Sequence, residues 1–406
     1  MEKLVSRNSN YIAVHKRHSH TPTQPKSITE NTLDFSPVAN SAANNDDDHG
    51  DYDNNYLIDK YKKTLKRQGI KRQKTVSNIC GLLTLRQALA AQLEVNSNIK
   101  CAAENIVVFA DMRTCLDFIV RLLSGDVSKA ILENPGNRNV KSVLSFNSLP
   151  FKEITIDDDG LITERLSELD ELSALAIVSA TVQDPLGVSM SLQRKQYLLE
   201  WTRQTNSHVV DRGAIQGFLK DTESPSLWQL SGGKSVICIW EFASILKPWS
   251  QMCCAFFPEE LAVLARQLKV VIGGEVALNE QFAMHEFIVD GELEKTQKHR
   301  ELLCLEKRRM FNLACSKIFD GKIRMMNMNR SSKLVFDVSG EIDLSSVLEC
   351  AQRVEIPASC LSMFDSSGVS SKMLIDLDKI SLERIPEKIE ALQCVMDVYR
   401  SRGCNV

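Results

Sequence analysis

No stretch of this 406-residue sequence approaches the roughly 18 to 20 consecutive apolar residues that span a bilayer, and its first residues hold no contiguous apolar core of a signal peptide. No membrane partner is expected, and the expected location is cytoplasmic. Charge of one sign is also missing. Lys and Arg total 49 against 52 Asp and Glu, a net charge of -3, so the chain as a whole is not built to bind nucleic acid or an anionic surface. The 12 cysteines show no CxxC spacing and one adjacent pair, Cys253-Cys254, and most lie inside apolar segments, so reduced core thiols are expected rather than zinc ligands or disulfides. His15, His18 and His20 stand in a polar stretch without further ligand types, and no metal site is expected. What the chain has is 43% hydrophobic residues, enough for a large core and one or two domains.

Residues 1–54 are rich in Asn, Ser, His and Asp and end in NNDDDHGDYDNN, which implies a disordered or extended tail. Tyr56–Gln68 places Tyr56, Leu57, Tyr61 and Leu65 near one helix face, and the basic segment Lys60–Lys74 is either a solvated face or a nucleic-acid patch. From Gly81 the pattern becomes regular. A helix is expected over Gly81–Val95, a strand at Ile106–Phe109, and a helix at Thr114–Leu123. Strands follow at Ala176–Ala180 and His208–Val210. Val236–Phe257, VICIWEFASILKPWSQMCCAFF, reads as strand, loop, strand with a functional corner at Pro248. Beyond it Pro258–Leu268 and the long Leu278–Phe311 have helical period, and Lys333–Val338, Val347–Arg353 and Met373–Asp376 alternate strand and helix.

The corner resembles the lysine-bearing turn of class I/II aminotransferases, in particular the aminotransferase-like domain of MocR-type GntR-family regulators. Phe242, Leu246 and Pro248 keep its frame. Upstream, Glu133-Asn134-Pro135-Gly136, the strand and turn of Pro150–Leu161, and Pro185, Gly187, Met190 and Arg194 match family elements in family order, and Leu33–Ala42 is similar to the opening segment of that domain. The resemblance implies a pyridoxal phosphate (PLP) fold type I: an α/β large domain with a mostly parallel, helix-flanked sheet, and a smaller α+β C-terminal domain. The expected division is a tail at 1–54, the large domain at 55–275, and connecting helices with the small domain at 276–406. No winged-helix DNA-binding domain is expected in this chain, and a homodimer is.

The polar positions depart from the family. Ser244 stands where the imine lysine belongs, and Gln251 where a phosphate-binding Arg belongs. The phosphate turn is Ala110-Asp111-Met112-Arg113, and an Asp beside a phosphate repels it. Asn137 replaces an aromatic, and Asp184 an Asn or Tyr near the ring oxygen. Anchored on Phe218, the Asp that pairs with the pyridine nitrogen falls on Arg212 and the neighbouring Tyr on Ala214; a one-residue slip brings in Asp211 instead. That pairing matters because a protonated ring is the electron sink of the chemistry. The small domain's carboxylate-binding Arg finds only Lys372 nearby.

These substitutions imply a non-catalytic, aminotransferase-like protein with no cofactor, keeping its fold for regulation, ligand sensing or protein interaction. Its remnant pocket would take a small anionic or amino-acid-like ligand through Arg212 and Arg113. Two alternatives stay open. One is a PLP-dependent aminotransferase with a displaced lysine, Lys247 or Lys234; the other is a transcriptional regulator working through a DNA-binding partner.

Overall fold

The computed structural model describes residues 59, 62, 63, 66, 79–97, 99–169, 173–213, 224–242, 246, 250–318, 323–326, 331–338, 343–366, 368 and 370–401. All belong to one unit, Gly50–Val406. The expectations for the 1–54 tail, Ala214, Ser244 and Lys247 lie outside the described residues.

Side chains alternate across a strand, so a strand that is apolar at both parities demands cover on both faces. Ile106–Phe109 (β1), Lys129–Asn134 (β2), Phe151–Asp157 (β3), Gly160–Leu161 (β4), Ala174–Val178 (β5), His208–Asp211 (β6), Val236–Glu241 (β7) and Cys253–Phe256 (β8) form one eight-stranded sheet, in the order β1-β8-β7-β6-β5-β2-β3-β4. From β3 through β7 the neighbours β3, β2, β5, β6 and β7 pair in parallel; β8 runs antiparallel to β7 and β1, and β4 to β3. Among the described residues seven helices supply the cover: Leu83–Ser97 (α1), Met112–Leu123 (α2), Arg138–Phe146 (α3), Leu192–Thr205 (α4), Leu227–Ser231 (α5), Glu259–Ile272 (α6) and Leu278–Val289 (α7). Ile106, Ala176, Val209 and Cys238 pack with α1, α4, α5 and α7. The intervening Val107, Ile177, Val210 and Ile239 pack with α2, α3 and α6.

The long helical stretch after Leu278 is two helices. Asp290 ends α7, and Gly291, at a φ of 71° that a side chain would strain, turns the chain into Glu292–Ile318 (α8). Leu293 of α8 joins the large core, whereas Phe311 and Cys315 join a second core. That second core lies under a four-stranded antiparallel sheet of Ile323–Met325 (β9), Lys333–Val338 (β10), Ala358–Cys360 (β11) and Lys372–Asp376 (β12), in the order β11-β12-β10-β9. Leu344–Arg353 (α9) and Ile385–Ser401 (α10) cover one face through Val347, Ile389 and Met396. The other face, Val335 and Leu374, meets Leu186 and Phe364. No described helix is long and apolar enough to cross a membrane, and every described cysteine is a free thiol.

Candidate functional site

Parallel strands end together, so whatever polar residues close β2, β5, β6 and β7 gather at one edge. Here they are Glu133 and Asn134, Ser179, Asp211 with Arg212, and Glu241. Leu132, Glu133, Gly136, Asn137, Val140, Lys141, Ile177, Ser179 and Arg212 line a narrow cleft of about 10 Å³ there. Two glycines make the edge this tight. A Cβ on Gly136 would lie 2.3 Å from the Glu133 carbonyl oxygen, and one on Gly213 would lie 3.1 Å from the Ser179 backbone.

Asp211 is fully buried. Its Oδ1 accepts from the backbone N–H of Gly213 (3.0 Å) and Ala180 (3.2 Å), and its Oδ2 is buried with no partner. Burial outweighs those two bonds and pushes its carboxyl up to about 6. Glu133 accepts from Ser179 N–H (3.2 Å) and Gln183 Nε2 (3.3 Å), and burial pushes it up to about 7. Arg212 is 8% exposed. One of its terminal nitrogens donates to Glu241 at 3.2 Å, while its Nε is buried and unpartnered. Burial works against this charge, but Glu241 first, then Asp184 and Glu133, outweigh it and hold the guanidinium protonated.

Asn137 caps α3 with its side-chain oxygen and donates its amide to Asp184 Oδ2 at 2.8 Å. Asp184 also receives Lys333 Nζ, an ion pair reaching across from β10 of the smaller sheet. Burial alone would raise Asp184; Lys333 and then Arg212 hold it below the usual carboxylate range. A few residues of the small sheet's rim complete the junction. Gly136 N–H donates to Phe364 O (3.0 Å), Asn134 Nδ2 to Asp365 (3.0 Å), Ser366 N–H to Asn134 Oδ1 (3.1 Å), and Lys141 Nζ to Ser366 Oγ (2.8 Å).

Asn137, Asp184, Asp211 and Arg212 lie at this one edge of the sheet, Asn137 bonded to Asp184. Asp111, Met112 and Arg113 lie at the start of α2. The Asp111 carboxylate accepts from Thr114 N–H (2.8 Å) and Thr114 Oγ1 (3.1 Å) as that helix's cap, Met112 is buried and Arg113 exposed. Gln251 is exposed. Lys234 is exposed just before β7, at the edge of the sheet opposite the cleft. Three residues of the cleft escape sequence reasoning: Lys141, Glu241 and Lys333. Glu241 had a signal, being a charged residue that closes an apolar strand; Lys333 meets Asp184 across a separation of 149 residues, which no local pattern carries. Among the described residues no group of His, Cys, Asp and Glu could hold a metal ion.

No family profile matches the chain. Among solved structures it is similar to Pyrococcus horikoshii kynurenine aminotransferase in complex with PMP, with a TM-score of 0.70 and 18% identity, over 85% of this chain and 87% of that one. The architecture is the PLP fold type I of the aminotransferases, with the mixed, mostly parallel sheet and the small antiparallel domain described above. Its sequence relatives include MocR-type regulators. It is 22% identical to the uncharacterized HTH-type transcriptional regulator YdeL of Bacillus subtilis (strain 168) over 298 residues, 73% of this chain and 62% of that protein. It is also 22% identical to the probable rhizopine catabolism regulatory protein MocR of Rhizobium meliloti over 238 residues, 58% of this chain and 48% of that protein. The chain spans between 45% and 62% of the length of the curated regulators it matches.

The expectation that the chain takes no cofactor is overturned by these comparisons, since an aminotransferase is among its sequence relatives and proteins of the same fold are seen with PMP or a phosphopyridoxyl group. Asp211 keeps a buried carboxylate oxygen without a partner, which no sequence pattern reveals.

Proposed function

We propose that this protein uses the aminotransferase scaffold for ligand sensing in a regulatory role and does not transaminate at its corner. The observation that carries this reading is the closing of the cleft by its own charges, Arg212 on Glu241 and Lys333 on Asp184, in a chain with Ser244 in place of the imine lysine. Transamination needs an amine that forms an imine and then shuttles a proton between two carbons, which a serine hydroxyl does not do. Lys234, at the opposite edge, does not replace it.

The residues fit a PLP-type group at one end. Asp211, with Oδ2 buried and unpartnered, is suited to hold a protonated pyridine nitrogen, and such a ring, when bound, supplies an electron sink. The other end fits poorly: Asp111 already caps the helix that would face a phosphate, and Gln251 brings no charge. The names of the regulators YdeL and MocR support the regulatory part of this reading. A cytoplasmic homodimer belongs to it too, supported by an apolar strip on α6 where Val263, Val270 and Val271 are 54%, 66% and 82% exposed.

Titration of the purified protein with pyridoxal phosphate, followed by borohydride reduction, peptide mapping and addition of amino acids, tests it. The expected result is a spectral change of the bound ring that Asp211→Asn weakens, with no reduced lysyl adduct and no conversion by amino acids. A mapped lysyl adduct together with amino-acid-dependent conversion refutes it.

A further inference from the structure

We propose that Arg212 is a built-in plug, its side chain filling the cleft at the ends of β2, β5 and β6 so that a pyridoxal-type ring reaches Asp211 only once the guanidinium has left Glu241. This rests on the reading of the cleft as closed by its own charges, and it assigns the closure to one side chain.

The cleft is full as it stands. Its volume of about 10 Å³ is the space of a single water molecule, far less than a six-membered ring needs. Arg212 lines this space and is 8% exposed, and it bonds at 3.2 Å to Glu241, which closes β7, the neighbour of β6 on the side away from β5. Its side chain therefore lies across the end of β6, directly after Asp211, whose Oδ2 is buried without a partner. The arginine supplies from within the chain the kind of positive charge that a protonated ring would bring, and Glu241, Asp184 and Glu133 all favour its charged form.

The rest of the lining is fixed, which singles out Arg212 as the part that can yield. Glu133 is held by Ser179 N–H and Gln183, Asn137 by Asp184 and its own helix cap, and Lys141 by Glu153 and Ser366. Leu132, Val140 and Ile177 belong to the buried core, and Gly136 and Gly213 press backbone on backbone. Arg212 is held more loosely. Its backbone N–H is fixed on Val178 O at 2.8 Å, but among the described residues its guanidinium bonds to Glu241 alone, at the long end of the range, and Nε is buried with its donor unmet. An unmet buried donor disfavours the closed position, and the Glu241 pair is the latch that opposes it.

Spectrophotometric titration of the full chain with pyridoxal phosphate tests the proposal. Arg212→Ala is expected to bind at least about tenfold more tightly than wild type, and Glu241→Gln, which loosens the latch and keeps the arginine, more tightly than wild type by a smaller factor. An anion-holding role for Arg212 predicts the opposite sign, since removing a cation weakens the binding of a phosphate ester. Adding Asp211→Asn to Arg212→Ala is expected to reverse the gain. Binding by Arg212→Ala no tighter than wild type, or a gain that Asp211→Asn leaves intact, overturns the proposal. Should Arg212→Ala fail to fold, Glu241→Gln decides, and binding no tighter than wild type then overturns it. Unchanged affinity with no lysyl adduct leaves the non-transaminating reading in place, while an adduct in wild type with amino-acid conversion refutes that reading whatever Arg212→Ala does.

Discussion

Replacing Glu133 with glutamine removes an ionisation from the floor of the cleft, and the effect should appear as a change in the pH dependence of stability. Burial pushes Glu133 from its usual 4.5 up to about 7. Between those values the folded protein keeps a proton that the unfolded chain has released, so wild-type stability is whole below the lower value and falls as pH rises through the upper one. At about 1.4 kcal/mol per pH unit the loss reaches about 3 kcal/mol once the pH is well above about 7. Glutamine does not titrate, but its amide can accept from only one of Ser179 N–H and Gln183 Nε2, a loss of about 1–2 kcal/mol. Glu133→Gln is therefore expected to be less stable than wild type near about pH 5 and more stable near about pH 8, the difference changing sign between them. Urea unfolding at several pH values, with the slopes compared to confirm two-state behaviour, measures this. Asp211 titrates in the same range but is present in both proteins, so it cancels to first order in the difference. A difference that does not change with pH refutes the raised pKa of Glu133 in the folded state.

Other substitutions probe the frame around the site. Arg194→Ala removes a two-pronged pair with Asp157 and a bond to Gly160 O at 2.9 Å; with Asp157 half exposed, a loss of about 1–2 kcal/mol is expected in urea unfolding. Arg194 holds the Asp157 carboxyl below its usual value, so the stability this pair adds is present at neutral pH and lost on acidification, and the variant should show a weaker acid loss. Gly136→Ala brings a Cβ against the Glu133 carbonyl at 2.3 Å and is expected to cost about 1–3 kcal/mol, or more if the turn cannot shift; thermal unfolding reads it. Lys333→Met takes from Asp184 its ion-pair partner and leaves only the Arg212 charge nearby, an expected loss of about 1–3 kcal/mol, with faster hydrogen exchange at Phe364 and Ser366 where the small sheet meets the large one.

Much of the fold is visible in the sequence because it depends on local periodicity. Ile106–Phe109 and Lys333–Val338 are strands over the residues that their patterns imply, and the helix expected from Thr114 begins two residues earlier because Asp111 caps it. At Gly291 apolar residues keep helical spacing on both sides, and the backbone angle there separates α7 from α8. The site was legible where a residue closes a strand, as with Asp211 and Arg212. It was not legible where partners lie far apart in the chain, as with Lys333 and Asp184, or where the decisive fact is an atom with no partner, as with Asp211 Oδ2 and Arg212 Nε.

The sheet order has a consequence for how such a protein can change over time. The charged residues that close β2, β6 and β7, namely Glu133, Asp211 and Glu241, sit beyond the last apolar residue of each strand, and β8 returns antiparallel beside β7. Exchanging a side chain on this rim removes no buried apolar contact from the two layers beneath. Such a scaffold can lose one chemistry and acquire another recognition task by mutations that selection for folding does not see.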